Sequence, residues 1–186
     1  MKVALQSYAT EWPVIFEYEK YLLQRVLQIP GIDIEHVGST AVPGLSAKPV
    51  IDILVGMPQM HSLDDALEPM LSLGYVYVKY YERFIPDRRF LVRTSSQHMD
   101  KTNIIETEEE FLEWQTVEHT HHVHVVHYGS QYWNDHLKFR DHLRHNPADR
   151  LVYELLKKQL SDNDWESIND YVKAKTSFIN MILTRP

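Results

Sequence analysis

Glu35-His36-Val37-Gly38-Ser39-Thr40, followed by Lys48-Pro49-Val50-Ile51-Asp52-Ile53-Leu54-Val55, is the stretch on which the fold turns. Residues 32–37 alternate apolar and polar, the period of a half-buried strand. Residues 38–48 gather Gly, Ser, Thr, Pro and Gly, which predicts a loop with special turns. Residues 49–55 are a near-continuous apolar run broken only by Asp52, the pattern of a central strand. A strand thus delivers a Gly-Ser turn, and the next strand sets one carboxylate among aliphatic neighbours. A lone carboxylate is costly to bury there. Asp52 therefore needs a partner, a place at the strand's end, or a wet cleft.

Working outward, residues 11–27 read as an amphipathic helix, with Ile15, Leu22, Leu23, Val26 and Leu27 at helical spacing and Pro13 in the first turn. Pro30-Gly31 ends it. Residues 63–73 look helical, with Gly74 as the C-terminal cap. Residues 75–78 and 89–92 predict two strands joined by a turn near Pro86-Asp87, and 95–103 a polar loop. Thr107 and Glu110 suit a capping box for a short acidic helix through Glu118. Residues 123–126 predict a short strand in a histidine-rich segment. Three helices follow: one opened by Gly129-Ser130, one by Pro147, and one capped by Asp164 and running to about Leu183. This order predicts an α/β (α+β) fold, a mixed sheet flanked by helices with a helical C-terminal part, as one domain over 1–186.

The bulk composition is ordinary for a globular chain, with 44% hydrophobic and 24% charged residues. The formal net charge of −7 argues against broad nucleic-acid binding, which needs many cations to neutralise phosphates. It leaves room for a small basic pocket that binds a nucleotide or small phosphorylated ligand. The chain has no cysteine, so disulfides and thiolate metal sites are excluded. No apolar run approaches a membrane span, and no signal peptide is read at the start, so a cytoplasmic location is expected.

The chemistry-bearing residues fall into three groups. Gly38 lets a backbone approach a phosphate closely, and Ser39 and Thr40 offer hydroxyl and N–H donors. Asp52 could hold a divalent metal, or pair with a structural Arg, His or backbone N–H. The segment His119-Thr120-His121-His122-Val123-His124-Val125-Val126-His127 is the second group. On a strand, His122, His124 and Val126 share one face. With Asp52 beside them, His122 and His124 would make a metal site suited to Zn²⁺, Mn²⁺ or Fe²⁺. Otherwise they hydrogen-bond carboxylates or carbonyls. The third group is basic: Arg140 and Lys175 sit on the apolar faces of their helices, and Lys48 precedes the Asp52 strand. A cation so placed snorkels, pairs with an acid, or meets a ligand.

The run from His36-Val37-Gly38-Ser39-Thr40-Ala41-Val42-Pro43-Gly44-Leu45 through Ala47-Lys48-Pro49-Val50-Ile51-Asp52-Ile53 resembles the signature of the GrpB family. The resemblance resumes at residues 120–126. It continues in Trp133, His136-Leu137, Phe139-Arg140-Asp141, Leu143-Arg144, Tyr153, Leu156-Lys157 and Ala174-Lys175-Thr176, and so covers nearly the whole chain. Residues 96–118 match poorly and read as a variable insert. GrpB proteins are similar in turn to the nucleotidyltransferase superfamily. That likeness implies a Gly-Ser turn followed by two acids one residue apart on the next strand, plus a third acid later, holding two Mg²⁺ ions around a nucleoside triphosphate. Gly38, Ser39 and Asp52 match that pattern, and Leu54 stands where the second acid belongs.

Three functions are therefore expected in turn. The first is a metal-dependent (Mg²⁺, Mn²⁺ or Zn²⁺) nucleotidyltransferase acting on or binding a nucleoside triphosphate and a small acceptor. Asp52 and Ser39 would serve catalysis there, and Gly38, Ser39, Thr40, Lys48, Arg140 and Lys175 would bind phosphate. The second is a non-catalytic nucleotide- or phosphate-binding module. The third is a hydrolase with a single metal at Asp52, His122 and His124. Leu54 weighs against the first, since two-ion catalysis needs several carboxylates.

Overall fold

Strands β1 (Asp33–Val37), β2 (Ile51–Met57), β3 (Val76–Tyr77), β4 (Arg89–Thr94) and β5 (His119–His127) form one sheet in the order β1-β2-β5-β4-β3. This is a computed structural model, and it describes residues 2–95, 103–114 and 117–185. Only β2 and β5 run parallel; the other neighbours are antiparallel. A parallel pair needs a crossover. Here everything between β2 and β5, including β3 and β4, supplies it.

The helices among the described residues are α1 (Glu11–Leu27), α2 (Leu67–Ser72), α3 (Glu108–Trp114), α4 (Gln131–His145), α5 (Pro147–Ser161), α6 (Ile168–Ala174) and α7 (Thr176–Leu183). None is long and apolar enough to cross a membrane. On one sheet face Ile51, Ile53, Val55, Met57, Val123 and Val125 pack with Trp12, Phe16, Leu23 and Leu27 of α1 and Met70 of α2. On the other, Val37, Leu54 and Val126 pack under Trp133 of α4. Gly56 makes that closeness workable, because a Cβ there would lie 2.6 Å from the Trp133 ring. Val42, Leu45, Leu143, Tyr153, Phe178 and Ile182 join the Gly-Ser loop to the C-terminal helices.

Several expectations shift. The buried stripe of α1 is Trp12, Phe16, Glu19, Leu23 and Leu27, whereas Ile15 is 40% exposed. Glu19 can be buried because the Tyr75 hydroxyl donates to it at 2.6 Å and Arg93 at 2.7 Å. β2 starts and ends two residues later than the run at 49–55, and the helix expected from Leu63 opens with a 3-10 turn, Leu63–Ala66. The Thr107–Glu110 capping box is formed. The short strand expected at 123–126 spans His119–His127, since β2 pairs with it from His121 to His127 and β4 reaches back to His119. The last helix is two helices, α6 and α7, and Ser167 caps α6 in a capping box with Asp170 where Asp164 was expected. Most of the loop expected at 95–103 lies outside the described residues.

Candidate functional site

Pairing in register sets Asp52 of β2 opposite Val37 of β1 and opposite His122 of β5, all on the α4 side of the sheet. Asp52 sits near the start of its strand, at the mouth of a cleft, with 30% of its side chain exposed. Its Oδ1 is 3.3 Å from Nδ1 of His122. The other ring nitrogen of His122 lies 2.9 Å from Nδ1 of His119, whose ring stands 4.3 Å from that of Trp114. Asp52, His122 and His119 thus form one chain of polar contacts. It ends at the buried, unpartnered Nε2 of His119.

Gly38 brings the turn against this carboxylate. Its φ of +70° and ψ of −170° lie in a region only glycine adopts freely, and its missing Cβ leaves the space that the Asp52 carboxylate fills. The next residues, Ser39–Ala41, make one 3-10 turn. Ser39 lines the cleft beside Asp52 and Lys48. Thr40 is 1% exposed; its hydroxyl donates to Val50 O at 3.2 Å and so accepts from Nε2–H of His36 at 3.0 Å. Its side chain therefore ties the loop to the residue before β2, and its hydroxyl proton is already committed there.

The cleft, of ≈ 160 Å³, is lined by Ser39, Lys48, Asp52, His122, Lys157 and Lys175 among others. Three ammonium groups and one carboxylate line it, with Glu154 near Lys157 outside the lining. Burial lowers the pKa of Lys48, and brings Lys175 to about 8 and Lys157 to about 7, with Asp52 opposing the drop at Lys48 and Lys175. Lys157, 2% exposed, donates to Ser46 O and lies 5.1 Å over the Tyr153 ring. Lys175, at the joint between α6 and α7, lies 4.4 Å over the Tyr171 ring. Both rings shield a cation without neutralising it. In the sequence, Lys157 stands out only through the family resemblance. Its signal was nonetheless present, a lysine four residues after Tyr153 on the apolar side of a helix.

The structure gathers Gly38, Ser39, Thr40, Lys48, Asp52, His122 and Lys175, and leaves two expected residues elsewhere. Arg140 is buried beside the β1 edge, where it donates to Glu35, to Asp141 at 2.7 Å and to His36 O at 3.0 Å. It lines a different hollow, with Phe16, Lys20 and Arg144. His124 shares the face of His122 but sits deeper, and its Nδ1 meets Arg88 at 3.3 Å and the Tyr132 hydroxyl at 3.1 Å. Asp52, His122 and His124 are thus not drawn into one ligand set. No cluster of three or more His, Cys, Asp or Glu fit to hold a metal ion occurs among the described residues. Leu54, at the second acid position, is 0% exposed and packed under Trp133. This donor set does not fit two-ion chemistry.

The buried histidines have a consequence for stability. Burial holds His36 at about 4 and His119 at about 3, and lowers His121, His124 and His136 as well. Their folded-state pKa values lie below the unfolded value of 6.5, so the unfolded chain binds more protons as pH falls. Stability present above pH 6.5 is lost between there and pH 4, by about 3 kcal/mol from His36 alone. Urea midpoints should fall steeply across that window, and less so in His36→Gln. A flat profile would mean that these imidazoles are not buried neutral.

The comparisons with known proteins agree on one family. The model described as GrpB protein matches residues 2–185. A UPF0157 protein of Streptomyces coelicolor is 34% identical over 100% of this chain and 84% of its own length. The glutamate-rich protein GrpB of Alkalihalophilus pseudofirmus is 33% identical over 98% of this chain and 94% of its own. The crystal structure of a conserved protein GrpB from Enterococcus faecalis superposes with a TM-score of 0.74 at 32% identity, covering 97% of this chain and 94% of that one.

Proposed function

This chain belongs to the GrpB family, and from that premise we propose that its cleft binds the phosphoryl end of a nucleotide or another small phosphorylated ligand, without two-metal catalysis. The observation that carries this reading is the convergence of Lys48, Lys157 and Lys175 on a cleft whose lining holds one carboxylate, Asp52. Buried ammonium groups with too few counter-charges are strained until an anion arrives. The Gly38–Ser39 turn adds backbone donors at close range. At ≈ 160 Å³ the cleft is smaller than the roughly 300–1,000 Å³ of a pocket for a whole ligand, so it suits phosphate groups with the remainder projecting outward. The nucleotidyltransferase resemblance supports a triphosphate as ligand. The missing second acid at Leu54 supports binding over transfer.

Calorimetric titration with ATP, CTP, GTP, UTP and pyrophosphate, each with and without EDTA, tests this. At least one is expected to bind, EDTA notwithstanding, and Lys175→Met should weaken it about tenfold or more, the worth of one charge-assisted hydrogen bond. Binding that requires a divalent ion, unchanged affinity in Lys175→Met, or no binding at all would reject the reading.

A further inference from the structure

Another cation on the same sheet face lacks a counter-charge among the described residues. Arg88, just before β4, is 9% exposed. Arg89, Arg93 and Arg140 hold carboxylates at Asp64, Glu19 and Glu35. For Arg88 the described residues offer none. Its Nη1 donates to the Tyr132 hydroxyl at 3.1 Å and reaches His124 Nδ1 at 3.3 Å, while its buried Nε has no partner. Its guanidinium lies 5.6 Å from the Tyr81 ring centre, 5.2 Å from that of Phe90 and 5.6 Å from that of Tyr132. Those π faces replace part of its lost hydration and cancel none of its charge.

The tautomers follow from the contacts. Since Arg88 donates to Nδ1 of His124, that nitrogen is an acceptor, and the proton sits on Nε2. His136 donates Nδ1–H to Tyr132 O at 2.8 Å, and its ring stacks on Tyr132 with centres 4.1 Å apart. His124, Tyr132 and His136 are half-buried, so the trough between β5 and α4 is partly open to solvent.

We propose that this trough binds an oxyanion, the carboxylate or phosphate group of a second ligand, with Arg88 as its counter-charge and His124 Nε2–H as a donor. A guanidinium fork matches both groups in geometry. His124 lies two residues along β5 from His122, so the second ligand sits on the same face as the lysine cleft, further under α4. Arg88 holds its anion whether or not the lysine cleft is filled.

The test is a titration of ¹⁵N-labelled full-length protein with inorganic phosphate and, separately, with malonate at constant ionic strength. The signals read are the ring nitrogens of His124 and His136 and the Nε–H of Arg88. Saturable shifts of the Arg88 and His124 signals with at least one anion are expected, and the tighter anion tells phosphate from carboxylate. In Arg88→Met the His124 shift should weaken about tenfold or more, and in Lys175→Met it should stay unchanged. Still signals with both anions in the wild-type protein would overturn the assignment without any variant. So would shifts that persist in Arg88→Met and vanish in Lys175→Met, which would place the anion in the lysine cleft alone.

Discussion

Lys157→Met is expected to give a protein that folds more stably and binds anions poorly. Lys157 is almost fully buried, and its ammonium has been brought to about 7 chiefly by burial, with Lys175 adding repulsion. The unfolded lysine titrates near 10.5, so between pH 7 and 10.5 the unfolded chain carries a proton that the native chain has shed. Stability therefore rises with pH through that window and is at its lowest, from this group, below it. Methionine has similar length and no charge to desolvate, and replacing a buried ion by an apolar isostere commonly stabilises by about 1–4 kcal/mol. The lost bond to Ser46 O subtracts part of that gain. Urea midpoints near neutral pH should rise in the variant, and the alkaline increase should shrink to the part that Lys175 and Lys48 contribute. A site that sacrifices stability for a poised charge shows this trade. A variant that is less stable than the parent, yet binds triphosphate equally well, would make Lys157 an ordinary structural residue.

Gly38→Ala is expected to be the most damaging small substitution. The residue occupies a φ/ψ region in which an L side chain costs about 1–3 kcal/mol. The new methyl would stand 2.2 Å from Asp52 Oδ2 and 2.8 Å from its Cγ, closer than such contacts allow. Asp52 cannot step aside freely, because β1 and β5 flank its strand. Overpacking adds about 1–3 kcal/mol, so a loss of roughly 3 kcal/mol or more is expected. Calorimetric Tm should then fall by about 6–12 °C for a chain of this size. In Gly38→Ala/Asp52→Gly the steric part should be relieved and the backbone part retained, so the two losses should not add. Strictly additive losses would mean that the turn and the carboxylate do not press on one another.

The strands flanking the Gly-Ser turn could be read because a run such as Ile51-Asp52-Ile53-Leu54-Val55 has one physical solution, burial on both faces. The bounds of α1 could be read because Pro13 suits its first turn and Pro30-Gly31 ends it. The shared face of His122 and His124 followed from the two-residue period of a strand. Their separate fates did not. Which strand neighbours β5 is decided by tertiary pairing, and His124 was claimed by Arg88 and Tyr132, residues distant in the chain. Arg140 was read correctly as a cation on an apolar helix face. Its partner, Glu35, comes from β1, and no local pattern announces that. The break between α6 and α7 was missed because no Pro or Gly marks it. Lys175, at that joint, is held by its place over Tyr171 and not by a helix-breaking residue.

The parallel pairing of β2 with β5 also governs when the parts of the site meet. Asp52 and His122 meet only after the intervening chain has looped around and β5 has inserted between β2 and β4. Long loops closed before their contacts reward them make for slow folding. A nascent chain that ends before residue 119 holds β2 with one open edge, and its Ile-Asp-Ile-Leu-Val run is a template for pairing with another molecule. Insertion of β5 seals that edge and brings His122 to Asp52, while the cleft still awaits Lys157 and Lys175 from the C-terminal helices, so the interval of greatest aggregation hazard ends before the protein becomes competent to bind.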